Sequence, residues 1–227
     1  MRHAHVHSVA DLSQHVRRVR LHGPELEGLT WLPGQKVKLA IPGGKASYTP
    51  ARVSPEQGWM EIIFHLHHGD GPMANWAAAL QGGEAVDVFG PKKSMPTLQH
   101  DIDWAIFLGD ETALGLAQAL IEGLPRGVAV HGAIELDAQD SDAPRQLELP
   151  LEPLARQGSY GDVLRGWLDA HTLPEGPGVI WLSGHAATAF GLRQALLERG
   201  VPPQYIKLKA YWSDKGHAHR KALERAG

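Results

Sequence analysis

Cysteine is absent from all 227 residues. That absence removes disulfides, thiolate zinc sites, iron–sulfur clusters and a cysteine nucleophile together. If such a chain moves electrons, it must borrow an organic cofactor or a metal held by other ligands. No apolar run approaches the length of a membrane-spanning helix. The opening MRHAHVHSVADLSQ has no apolar signal core, so nothing points to export and the cytoplasm is the expected compartment. Charge of one sign is not in large excess: the net charge of −3 argues against a general nucleic-acid binder. GxGxxG does not occur, so no Rossmann fingerprint is claimed.

What remains has the composition of a globular protein, of a length that suits one large domain or two small ones. Histidine is unusually common, at 14 residues. His3, His5 and His7 alternate and share one face if that segment is extended. His65, His67 and His68 form a second cluster, and His217 and His219 lie near the end. Such tracts bind zinc or nickel in some chains and are plain exposed histidines in others. No metal site is assigned.

Two textures follow one another along the chain. Short candidate strands separated by turn residues fill the first hundred positions: Val16 to Leu21, Lys36 to Ile41, the strand holding Tyr48, Trp59 to His67, and Ala85 to Phe89, ended by Gly90-Pro91. Many short strands with regular turns predict a closed antiparallel barrel. From Trp104 onward strands alternate with helices: Trp104 to Leu108, a helix through Glu122, Val128 to Leu136, a possible strand at Gln146 to Leu149, a helix from Tyr160 to Ala170, Val179 to Ser183, a helix ending at Gly200, and Ile206 to Tyr211. Asp137 to Arg145 reads as a loop. This alternation predicts a parallel sheet flanked by helices. The expected division is 1–99, a β domain, and 100–227, an α/β domain.

Lys45 to Trp76 is the most informative stretch. Ser47-Tyr48-Thr49 lies in an extended segment, and His68-Gly69-Asp70-Gly71 is a turn leading to Pro72, well suited to a first helical turn. A helix start of this kind leaves free N–H groups that hold phosphate. A Tyr-Thr pair on a nearby strand supplies an aromatic edge and a hydroxyl to a flat ring. Together they suggest a flavin nucleotide.

Tyr48-Thr49, then Leu66-His67, then Gly71-Pro72 and Trp76 resemble the siderophore-interacting proteins, whose pattern runs roughly Arg-x-Tyr-Thr-x-Arg, Leu-His-Gly and Gly-Pro-Ala-Ser-x-Trp. Gly109-Asp110-Glu111-Thr112-Ala113 is similar to that family's Gly-Asp-Glu-Thr-Ala. Ser183-Gly184-His185 stands where it has Ala-Gly-Glu, and Ala210-Tyr211-Trp212-Ser213 where it ends Gly-Tyr-Trp-Arg-x-Gly. The family arginines fall on Ala46 and Ala51, with Lys45 and Arg52 each one residue away and so on the opposite strand face. Ala74 replaces the usual serine.

The resemblance implies a ferredoxin-reductase-like fold: an FAD-binding β-barrel, then an α/β domain that brings NADPH or NADH. It implies flavin contacts at Ser47, Tyr48, Thr49 and Pro50 on the strand, and at His65 and His67 on the next one. Pro72, Met73, Ala74 and Trp76 complete them on the helix. Gly109 and Thr112 are expected at the nucleotide turn, and Trp212 as a ring that stacks on the flavin or packs in the core. The implied substrate is a ferric siderophore, an anionic chelate. Between Gly200 and Gly227 Lys207, Lys209, Lys215, Arg220, Lys221 and Arg225 outnumber the acids by four. Lys45, Arg52, Lys209 and Lys215 are the candidate docking cations.

The implied reaction passes electrons from NAD(P)H through FAD to chelated Fe(III). Outer-sphere transfer needs no acid, base or nucleophile, so no catalytic side chain is named. A general NAD(P)H:flavin oxidoreductase and a non-catalytic flavin- or metal-binding protein are the alternatives.

Overall fold

A computed structural model describes residues 1–66, 72–95 and 101–216. His67, the His68–Gly71 turn, the expected domain boundary at 99/100, His217, His219 and the basic residues Arg220, Lys221 and Arg225 lie outside the described residues. The chain divides into two bodies. One holds Met1–Ser94 together with Gly115–Gly123; the other holds Met95–Leu114 and Leu124–Gly227.

The first body is built on seven strands: β1 (Arg2–Asp11), β2 (Val16–His22), β3 (Lys36–Ile41), β4 (Gly44–Tyr48), β5 (Arg52–Ser54), β6 (Trp59–His65) and β7 (Ala85–Lys92). They form one antiparallel sheet in the order β4-β3-β7-β1-β2-β6-β5. Helix α1 (Pro72–Ala79) lies between β6 and β7 in sequence. Val19, Leu21, Leu39, Ile62, Phe64 and Val88 are among the side chains of its core, all at most 1% exposed.

Among the described residues, the barrel expected from the sequence is not closed by hydrogen bonds. Strands β4 and β5 end the sheet, joined only by Thr49-Pro50-Ala51. Pro50 has no N–H to give, and Ala51 N–H donates to the Glu61 carbonyl instead. The sheet must nevertheless curl. Six strand spacings on a flat sheet amount to about 29 Å, whereas four Cα steps from Tyr48 to Arg52 reach at most about 15 Å.

Three boundaries here differ from expectation, that of β2 only by the added His22. β6 stops at His65 rather than His67, and β7 runs on through Gly90-Pro91 to Lys92. Pro91 is tolerated because the β3–β7 register shifts between Lys36 and Lys38, a local irregularity that relieves the ladder of one donor.

The second body carries five strands, all parallel, in the order β10-β9-β8-β11-β12. They are β8 (Trp104–Asp110), β9 (Ala129–Leu136), β10 (Glu152–Ala155), β11 (Gly178–His185) and β12 (Ile206–Trp212). β8 and β11 are buried along their whole length, the mark of central strands covered on both faces. Helix α2 (Leu114–Glu122) follows β8, and its residues from Gly115 belong to the first body. Helix α4 (Asp162–Ala170) buries Leu164, Trp167 and Leu168, spaced to share one face. Helix α5 (Ala186–Glu198) follows β11 directly.

The strand expected at Gln146 to Leu149 is not there. Short helix α3 (Ala143–Gln146) occupies part of the segment read as a loop, with Pro144 in its first turn. Glu148 then takes a positive φ of 56°, which breaks any extended run, and the edge strand β10 comes four residues later.

Candidate functional site

In the first body the residues singled out by sequence gather around a row of aromatic rings. Tyr48, at the end of β4, packs edge-on against Phe64 of β6 with centroids 4.7 Å apart. Phe64 meets Trp76 of α1 edge-on at 6.0 Å. Tyr48 and Trp76, 28 positions apart in sequence, are thus bridged by a fully buried ring that sequence reasoning did not name. The available signal was Phe64's place on the inward alternation of β6. Burial pushes the Tyr48 phenol above its ordinary pKa. Thr49 and Pro50 are buried, whereas Ser47, one residue earlier on the other strand face, is exposed.

On α1, Ala74 is buried and Met73 and Trp76 are half-buried. Arg17 of β2, also unanticipated, donates to the Ala77 and Ala78 carbonyls near the end of this helix and forks onto Asp11. His65 closes β6 opposite Val16.

The candidate docking cations of this body are engaged. Arg52 is bound at 2.5–2.9 Å by the Glu122 carboxylate of α2. Lys45 Nζ lies 3.5 Å from the centroid of Phe89, on the face opposite Tyr48. Position 46 is half-buried on Tyr48's own strand face, and Ala51 is only 3% exposed.

This arrangement suits a flat aromatic ligand better than a strongly anionic one. Tyr48 offers a ring edge at the end of β4, while the Ser47 hydroxyl points to the other strand face. Neither position 46 nor 51 supplies a cation.

In the second body the strand order reverses between β8 and β11. The chain runs outward from β8 to β9 and β10, then returns to β11 and continues to β12. Crevices at the carboxyl ends flanking such a switch are where open parallel sheets bind ligands. Asp110 closes β8 here, 4% exposed. Its carboxylate accepts from Thr112 N–H (3.0 Å), Thr112 Oγ1 (2.5 Å), His185 N–H (2.6 Å) and Trp212 Nε1 (2.9 Å). Burial still pushes its pKa above the usual carboxylate range.

Both glycines at this edge are filled from inside the body. A Cβ on Gly109 would sit 2.9 Å from the Ser183 carbonyl oxygen. One on Gly184, whose φ is +106°, would sit 2.4 Å from the Asp110 carboxyl carbon. The bare backbone that sequence assigned to a ligand at Gly109 is taken up by β11, and the Thr112 hydroxyl by Asp110.

Trp212 rests 4.5 Å from the His185 ring and edge-on to Tyr160 at 4.9 Å. Only about 10 Å³ stays open among Asp110, Tyr160 and His185. A larger cavity of about 240 Å³ opens beside the first turn of α5, bordered by Tyr160, Arg165, Thr188 and Gly191. Lys209 accepts a hydrogen bond from Ser183 Oγ through its carbonyl, and Lys215 is exposed with its N–H on Ser213 and Asp214.

A charge hub borders this crevice. Arg156 donates to Glu111 (2.6 and 2.7 Å), Glu135 (3.0 Å) and Asp137 (2.8 Å), and its guanidinium carbon lies 4.4 Å from the Tyr160 ring centroid. The other Glu135 oxygen accepts from Gly161 N–H. Burial, helped by neighbouring Asp110, raises Glu111 to about 7 despite Arg156. Sequence gave no pattern for the hub, although acids at the ends of successive parallel strands were a usable sign.

The family model for siderophore-interacting proteins matches residues 102–215, and that for the siderophore-interacting FAD-binding domain matches 44–95. A solved siderophore utilization protein from T. fusca is 28% identical with a TM-score of 0.80, over 95% of this chain and 94% of that one. Ferredoxin-reductase-type structures share the fold. An uncharacterized protein of Mycobacterium tuberculosis is 28% identical over 170 residues, 67% of this chain and 58% of that protein. The chain thus matches little more than half the length of the curated relatives first found. The ferric vibriobactin reductase of Vibrio cholerae is 26% identical over 91 residues, 40% of this chain and 33% of that protein. No helix among the described residues is long and apolar enough to cross a membrane. The two family models account for most of the sequence between residues 44 and 215, and the chain belongs to the siderophore-interacting protein family.

Proposed function

We propose that the chain is an FAD-dependent reductase that takes electrons from NADPH or NADH and passes them to Fe(III) held by a siderophore. The observation that carries this reading is the Tyr48–Phe64–Trp76 row inside the segment matched by the FAD-binding family model. Bound FAD would accept a hydride from the nicotinamide and release electrons singly to the metal.

The protein's own part is to hold and orient. Tyr48 is fixed by Phe64, so its edge meets the flat ring without losing side-chain freedom on binding. The first turn of α1, after Pro72, supplies N–H groups to the pyrophosphate. In the second body the nicotinamide nucleotide is assigned to the carboxyl edge of β8 and β11. The cavity beside α5 has room for its adenosine end, and Arg165 lies at that wall. Thr112 and Trp212 act there through Asp110.

The docking cations are reassigned. Arg52 is committed to Glu122 and Lys45 to the Phe89 ring on the face away from Tyr48, so the ferric chelate falls to Lys209 and Lys215 of the second body, the last of them exposed. The engagement of Arg52 also favours a second reading, a general NAD(P)H:flavin oxidoreductase that reduces iron without a dedicated chelate site.

One experiment separates these readings. Purified protein is loaded with FAD and mixed anaerobically with NADPH or NADH, then with a ferric siderophore or a simple ferric salt. Fe(II) is read with a ferrous-specific chromogenic chelator. Bleaching of the flavin bands and faster reduction of the siderophore support the first reading, and equal rates the second. Failure to retain FAD at excess overturns both.

A further inference from the structure

The histidine tract at the start of the chain remains outside the flavin and nucleotide sites. We propose that His5, His7 and His22 form a surface site for one divalent zinc-type cation. This rests on the first body alone and does not depend on the flavin reading.

Three observations place these rings together. In the β1–β2 ladder His5 lies directly opposite His22. The register then shifts between Val6 and Ser8, so His7 sits at an irregularity of the kind that re-aims a side chain. His7 is exposed in step with the alternation that buries Ala4 and Val6, which breaks only at Ser8, so His7 is presented on the outer face with His5. The ring centroids of His5 and His22 are 5.6 Å apart, and those of His7 and His22 6.1 Å.

Those separations suit a shared metal. With zinc–nitrogen bonds of about 2.0–2.1 Å in tetrahedral geometry, ligating imidazole centroids stand roughly 5 Å apart. The ring nitrogens are brought onto one ion by rotation of the exposed side chains about their torsions. Water fills the fourth position, since the strands provide three nitrogens.

The surroundings favour a cation. His3, the remaining histidine of the row, is hydrogen-bonded to Asp87 at 2.7 Å, and its N–H to Glu25, so carboxylates border the site without occupying it. The nearest arginine along β2, Arg20, is bound by Glu61 at 2.8 Å and lies over the Trp59 ring. Imidazole nitrogens select zinc, nickel or copper over magnesium or calcium, which prefer oxygen.

The test uses the full chain without FAD, titrated with Co²⁺ alone and followed by visible absorption, then back-titrated with Zn²⁺. One equivalent of tetrahedral Co²⁺ displaced by Zn²⁺ is the expected result. His22→Asn and His7→Asn should each weaken binding by more than about tenfold, since even residues that only support a ligand contribute that much. His131→Asn, on β9 of the other body, should not. Saturating Zn²⁺ should raise the unfolding temperature of the parent chain and not of His22→Asn. Absence of a saturable site, or a site that persists in both His22→Asn and His7→Asn, would overturn the proposal.

Discussion

The indole N–H of Trp212 is bonded to the buried carboxylate of Asp110 at 2.9 Å, joining the last strand to the end of the first strand of the parallel sheet. Asp110 receives three further donors from Thr112 and His185, so its charge is held by four hydrogen bonds in an interior position. Trp212→Phe keeps the ring against Tyr160 and removes one donor. It should cost about 1–2 kcal/mol, read as a lower midpoint in urea unfolding followed by circular dichroism. An unchanged midpoint would mean that the bond contributes nothing net.

Gly184→Ala should be far more severe. The added carbon meets Asp110 at 2.4 Å in a backbone conformation that alanine avoids. A loss of about 3 kcal/mol or more is expected, measured as a collapse of soluble yield or a strongly lowered unfolding temperature.

The charge hub makes stability depend on pH in a definite direction. Glu111 has a folded-state pKa of about 7 against an ordinary value of 4.5. The folded state therefore binds the proton more tightly, and the contribution is complete below pH 4.5 and lost as pH rises towards 7. Roughly 2–3 kcal/mol is at stake over that window. Denaturation midpoints at pH 5 and pH 7.5 should differ by less in Glu111→Gln than in the parent. The raised Asp110 and Glu135 carboxyls share this sign and leave a residual slope.

Restoring an arginine should discriminate between the two positions that lack one. Ala46 is half-buried on the same strand face as Tyr48, and Ala51 is almost fully enclosed. Ala46→Arg should tighten FAD binding by about tenfold through a charge-assisted bond to phosphate, seen in a flavin fluorescence titration. Ala51→Arg should destabilise the first body by overpacking and bring no such gain.

Much of this was legible in the residues because the relevant signals are short and local. The continuous apolar runs of β8 and β11 announced central parallel strands, and the order of motifs from Tyr48 to Trp212 announced the family. Phe64 escaped notice because a phenylalanine inside a strand looks like any core residue until both its neighbours in space are known. Arg156 escaped for a related reason: its partners Glu111, Glu135 and Asp137 come from separate segments, and no spacing rule joins them. Arg52 was read as a free cation because Glu122, 70 residues on, carries no hint of their pairing. The Gln146–Leu149 segment was misread because four residues are too few for either period to show, and Pro144 decided the matter.

The position of β1 between β2 and β7 sets the order in which the first body can be made. Its His3 lies opposite Asp87, a separation of 84 residues. On a ribosome adding about 5–20 residues per second, one edge of the first strand waits roughly 4–17 seconds for its partner. A nascent chain with that open edge is a natural client for a holding chaperone, and synonymous codon changes that slow the stretch before β7 would lengthen the exposure.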